Sequence, residues 1–297
     1  MKQLLTTLYI VLCASTFTFA QQVVSVSGSM PRTATVQKPT KVIDNSLMQV
    51  TYKVRSITDS LAPDKVAEDD MILQIGASGI SKFYVDTRIQ DSIIQSRISA
   101  ARMSGSMTIQ PGTNLLGDNV GSGNRSIIFK NWPNKSITVT DRVVTDTYSY
   151  TEPSNQIKWQ ILPNTDTILS YLCQKAMTTF RGRNYEAWFA SDIPIGEGPW
   201  KFSGLPGLIL KVYDTREHYV FECIGMEQSQ VPMEYADLDY FTTSRRNLAR
   251  VSRRFYEDPI AATRGAGSME ASIRAAAIAS TNDPSKKRAY NPIELDY

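Results

Sequence analysis

The sequence predicts an α+β protein, a curved antiparallel β-sheet covered by one inserted helix and by C-terminal helices. Three observations carry that expectation. Short apolar stretches recur from Leu47 to Ile224, separated by Asn, Asp, Pro and Gly, the spacing of an antiparallel meander. Between Asp86 and Met103 the period changes, with Ile89, Ile93, Ile94 and Ile98 at helical intervals. Residues 242–257 and 259–280 return to helical spacing. An open sheet must cover its apolar face, and three amphipathic helices are the natural cover.

Along the chain, residues 1–20 read as a signal peptide: Lys2, an apolar stretch from Leu4 to Leu12, and a small-x-small site at Thr18-Phe19-Ala20. That apolar stretch is shorter than the roughly 20 residues of a membrane span. Residues 21–45 form an exposed leader, and 46–297 are expected to be a single β-rich domain, with helices from about 242. In Leu47 to Arg55, Val50, Tyr52 and Val54 alternate with polar residues, the pattern of a half-buried strand. Met71 to Ile75 and Ile80 to Val85 read as a hairpin around Gly76-Ala77-Ser78-Gly79. Ser104 to Arg125 is Gly-, Ser- and Asn-rich and reads as a long loop. Further strands are expected at 127–130, 136–150, 157–162, 171–181, 184–189, 208–213 and 218–224. Thr242 or Thr243 can cap the first C-terminal helix, and Pro259 suits the first turn of the second.

The richest segment runs from Phe180 to Leu210, with Ile193-Pro194, Gly198-Pro199-Trp200 and Gly204-Leu205-Pro206-Gly207-Leu208-Ile209. It resembles the signature of the GLPGLI family of cell-envelope proteins. Ser81-Lys82-Phe83-Tyr84 near the start and Asn291-Pro292-Ile293-Glu294-Leu295 near the end also resemble that family, so the likeness runs from about Leu47 to the terminus. It implies an exported protein of the periplasm or outer-membrane periphery, and implies no particular chemistry. The curved sheet with its helices resembles the half-barrel of periplasmic lipoprotein-carrier and sigma-regulator proteins, which is a likeness of fold alone.

Within the signature turn, Gly204-Leu205-Pro206-Gly207, residues Leu205-Pro206-Gly207 are expected to bend tightly, with Gly207 free to take positive φ. Proline at 206 removes an amide that a phosphate cradle would use. Trp188, Trp200, Phe202 and Leu205 either pack the core or line an apolar groove. Arg181 and Arg183 can fork onto an anionic group or tie the loop to its own acids. Cys173 and Cys223 remain after signal removal. In an oxidising compartment they make one disulfide, the alternative being two buried free thiols.

Catalysis finds little material. His218 is the single histidine and opens a strand after a turn, where a solvated role is the expectation. No metal-ligand spacing is present and no cofactor is expected. Glu186, Asp192 and Glu197 are the carboxylates from which a hydrolase would draw an acid and a base. The net charge of +3 includes Lys2, too small a footprint for nucleic acid. Arg245, Arg246, Arg250, Arg253 and Arg254 give helix 242–257 a basic stripe suited to peripheral membrane contact or an acidic partner. The expectation is a non-catalytic envelope protein that binds a hydrophobic ligand or a protein through its curved sheet and the Trp188 to Leu210 segment. Its competitors are a carboxylate-dependent hydrolase and a structural subunit of an envelope assembly.

Overall fold

Alternation sets the frame of the sheet. In the first strand, β1 (Thr40–Ser56), Val50, Tyr52 and Val54 are buried and share one face, and full burial of each such side chain contributes about 1.5–3 kcal/mol. The computed structural model describes residues 39–86, 126–143, 146–154, 156–258 and 289–296. The signal peptide, the helix expected at 86–103, the loop at 104–125 and the second C-terminal helix fall outside the described residues, apart from Asp86.

After β1 come β2 (Ala67–Gly76), β3 (Ser81–Val85), β4 (Ile127–Lys130), β5 (Ser136–Val143), β6 (Asp146–Pro153), β7 (Gln160–Ile168), β8 (Tyr171–Phe180) and β9 (Arg183–Ala190). Then follow β10 (Leu208–Asp214), β11 (Tyr219–Gln228), β12 (Pro232–Ala236), β13 (Phe241–Thr242) and one helix, α1 (Arg245–Glu257). The described part is therefore mostly β with a single helix, and the expected α+β balance overstates the helices. Strand order is β13-β6-β5-β4-β3-β2-β1-β11-β10-β9-β8-β7, with β12 paired to the outer half of β1. Neighbours are antiparallel except β13 and β6, so the sheet is mixed.

Three local departures from expectation have simple causes. The stretch 136–150 is two strands, because the chain reverses between Val143 and Asp146 without a glycine or proline to mark it. Thr40 to Asn45, expected in the leader, pair with β12. The helix starts after Ser244, whose hydroxyl accepts from the Asn247 amide, a serine N-cap in place of the two threonines before it. No helix among the described residues is long and apolar enough to cross a membrane.

The sheet curls strongly. β6 and β8 stand nine strand steps apart in the order, yet Glu152 of β6 meets Arg181 of the β8–β9 turn at 2.6 Å. Among the described residues no ladder joins the two ends. The sheet is open, and side chains bridge its margins.

Candidate binding cavity and its polar seam

The signature segment fills the hollow of the curl. From Ile193 to Ile209 its backbone bonds largely to itself: Gly204 N to Gly196 O at 2.8 Å, Phe202 N to Pro199 O at 3.0 Å, Ile209 N to Glu197 O at 3.0 Å. The positive φ falls on Gly204, at +93°, and not on Gly207 as expected. At Gly207 a Cβ would lie 2.2 Å from the Ala190 carbonyl oxygen, so only glycine lets the chain re-enter the sheet here. The sheet grips this loop from several strands. Tyr52 donates to Ile209 O at 2.7 Å. Buried Lys130 donates to Gly198 O and Phe202 O and pairs with Glu197 at 2.6 Å. Ser81 donates to Glu197 at 2.9 Å. Burial lowers the Lys130 pKa, and Glu197 offsets part of that.

A second assembly lies along the seam between the margins. Residues 291–296 run across it as a strap. Arg183, at the start of β9, pairs with Asp214 at 3.0 Å and donates to Asn291 Oδ1 at 2.7 Å, Pro292 O at 2.6 Å and Ile293 O at 3.0 Å. Asn291 in turn donates to Ile57 O at 2.6 Å. Farther along, Lys201 is held by Glu152 at 2.6 Å, Glu294 at 2.5 Å and Tyr150 at 2.9 Å. Arg245 of α1 binds Glu294 at 2.8 Å and Asp296 at 2.7 Å, and Arg181 reaches Asp296 at 3.5 Å. Three cations thus face three carboxylates. Burial opposes the Lys201 ammonium, but Tyr150, Glu294 and Glu152 outweigh it, so its pKa stands above the ordinary lysine value. Burial likewise pushes up the phenols of Tyr150, Tyr185 and Tyr219.

Between the inner face, α1 and the strap lies a cavity of about 400 Å³, within the range of roughly 300–1,000 Å³ usual for small-molecule sites. Val54, Met71, Phe83, Ile128, Val139 and Phe221 form its apolar floor. Leu248, Ser252 and Phe255 face it from α1, at i, i+4 and i+7. Trp200, Lys201, Pro292 and Glu294 close one end.

The expected site residues separate on this frame. Trp200 lines the cavity. Phe202 and Leu205 are buried in the core beneath it, Phe202 edge-on to Tyr185 at 4.8 Å between ring centroids. Trp188 alternates with Tyr185 and Ala187 and is half-buried on the outer face, with the Lys175 ammonium 5.6 Å from its ring centroid. Arg181 and Arg183 bind the strap and its acids. Cys173 and Cys223 are buried free thiols, which corrects the expected disulfide. They sit on β8 and β11 with β9 and β10 between. Burial pushes the Cys223 thiol up to about 11.

The three candidate acids have separate surroundings. Glu186 accepts from Tyr213 at 2.6 Å and pairs with Lys175 at 2.9 Å, and these hold its carboxyl below the usual range. Asp192 is exposed, Glu197 is buried against Lys130, and none of the three lines the cavity. His218 is half-buried, with Nδ1 3.2 Å from the Asn291 amide. On α1, Arg246, Arg250 and Arg254 form an exposed stripe at four-residue intervals, while Arg245 turns inward. Sequence reasoning missed Lys130, Glu152, Lys201 and Ser56 because their partners lie far along the chain.

Comparison with known proteins adds a family likeness. The family described as "Protein of unknown function (Porph_ging)" matches residues 179–211, the segment that supplies β9 and the signature loop. No curated protein matches the chain. Two solved structures of PNGF-II, in different space groups, are similar in fold with TM-scores of 0.45 and 0.44 and 12% identity. Each match covers 69% of this chain and 32% of the other, so the chain spans about a third of the length of those structures.

Proposed function

We propose that this is a non-catalytic, exported envelope protein that holds a hydrophobic ligand in the cavity between the curled sheet and α1. The observation that carries the reading is the cavity itself, about 400 Å³ over a floor of six apolar side chains. The GLPGLI-like signature supports the envelope assignment, and Trp200 and Lys201 are the residues of that segment that border the ligand space. The exposed arginine stripe of α1 suits transient contact with anionic headgroups, which salt weakens. Glu186, Asp192 and Glu197, the acids of the carboxylate-hydrolase reading, have separate surroundings and none lines the cavity.

The test is binding of an environment-sensitive naphthalene dye, alongside native mass spectrometry of protein purified gently from the envelope. Ala249→Trp, which fills the cavity from the helix side, should abolish dye binding while the circular dichroism spectrum stays unchanged. Equal binding by a folded Ala249→Trp variant would place the dye elsewhere and sink the cavity reading.

A further inference from the structure

We propose that the cavity's ligand is an uncharged single-chain amphiphile whose polar group hydrogen-bonds to Ser56. This rests on the ligand-binding reading above and narrows it to a chemical class. Ser56 ends β1, and alternation along that strand sets it on the same inner face as Val50, Tyr52 and Val54. It is 4% exposed, it borders the cavity, and its hydroxyl has no hydrogen-bond partner. A buried hydroxyl left unpaired is a net cost, and a ligand oxygen in the adjoining space removes it. Ser56 also lies at the strap end of the cavity. It is opposite Tyr219 in the β1–β11 ladder, and Tyr219 donates to Asn291 O at 2.7 Å.

Charge decides the class. Lys201 donates to Tyr150 and Glu294 and is ion-paired with Glu152 as well. Arg245 is committed to Glu294 and Asp296. Asp141 and Arg142 add one charge of each sign to the lining. An ionised carboxylate or phosphate would therefore enter beside Glu294, where Lys201 and Arg245 are already paired with acids, and a buried charge without its own partner is strongly unfavourable. An ammonium would have to take a carboxylate away from Lys201 or Arg245. An ester, amide or alcohol needs neither exchange, and its hydrocarbon chain suits the apolar floor.

The experiment uses the full chain with the naphthalene dye already bound. Monododecanoylglycerol should displace the dye, and dodecanoate at about pH 8 should be weaker by about tenfold or more. Ser56→Ala should weaken the monoglyceride by about fivefold and leave the thermal midpoint no lower. Three results would overturn the proposal while leaving the cavity reading standing: dodecanoate binding as tightly as the monoglyceride, neither amphiphile displacing the dye, or Ser56→Ala changing no affinity. Failure of the dye to bind at all would remove both.

Discussion

Arg183 and Asn291, 108 positions apart in the chain, meet side chain to side chain at 2.7 Å in the buried seam. The same guanidinium is paired with Asp214 and donates to two strap carbonyls. One planar fork thus reads both a charge and a backbone. Arg183→Ala leaves Asp214 buried without a cation and should cost about 3–5 kcal/mol in a urea titration. Arg183→Lys keeps the charge but loses the fork, so it should recover less than half of that. Full recovery by lysine would mean that charge alone matters here.

Lys201 makes a pH-dependent prediction. Its pKa in the folded protein is raised, so its contribution is fully present below the ordinary lysine value. It is lost as pH climbs through the folded value. Lys201→Met should be less stable by about 3–5 kcal/mol near neutrality. The gap to the parent protein should narrow above about pH 10.5. Denaturation curves at neutral and alkaline pH check this, and a gap independent of pH would assign the loss to packing.

Two glycines separate close approach from backbone conformation. Gly207→Ala drives a Cβ against the Ala190 carbonyl and should cost at least about 1–3 kcal/mol. Gly79→Ala meets nothing within 4 Å but keeps a φ of +81°, a left-handed conformation that costs about 1–2 kcal/mol. Thermal melts of the two variants should rank Gly207→Ala as the more damaging. The reverse order would mean that the signature loop can shift away from β9.

The cysteines should behave as core residues. Native protein should leave Cys173 and Cys223 untouched by a thiol reagent at neutral pH, because burial raises both pKa values and reactivity follows the thiolate. Both should react at once in denaturant. A non-reduced digest containing a peptide that joins them would contradict the free-thiol state.

What could be read in advance was local. The alternation of Val50, Tyr52 and Val54 announced an inner face, and Gly76 to Gly79 announced a hairpin. Arg181-Gly182 sits in the expected break, with φ of +52° and +79°, as a two-residue hairpin turn requires. What could not be read was pairing across distance. Lysine and glutamate at 130, 152, 197 and 201 look like surface residues in any window, and only the curl of the sheet brings them together. The cysteine spacing was equally blind, because the number of intervening residues does not reveal how many strands stand between two thiols. The strap carried a recognisable motif, but nothing in its six residues says that four basic side chains, Arg181, Arg183, Lys201 and Arg245, await it.

The open seam has a mechanical meaning. A barrel closed by a hydrogen-bonded ladder can widen only by unpairing backbone, a cooperative loss along a whole strand. Here Arg181, Lys201 and Arg245 and their acids act as a clasp between margins that never share a ladder. Parting the clasp exchanges a handful of side-chain contacts and leaves every strand with the partners it had. The interior is reached by undoing a fastening rather than by unravelling the cloth.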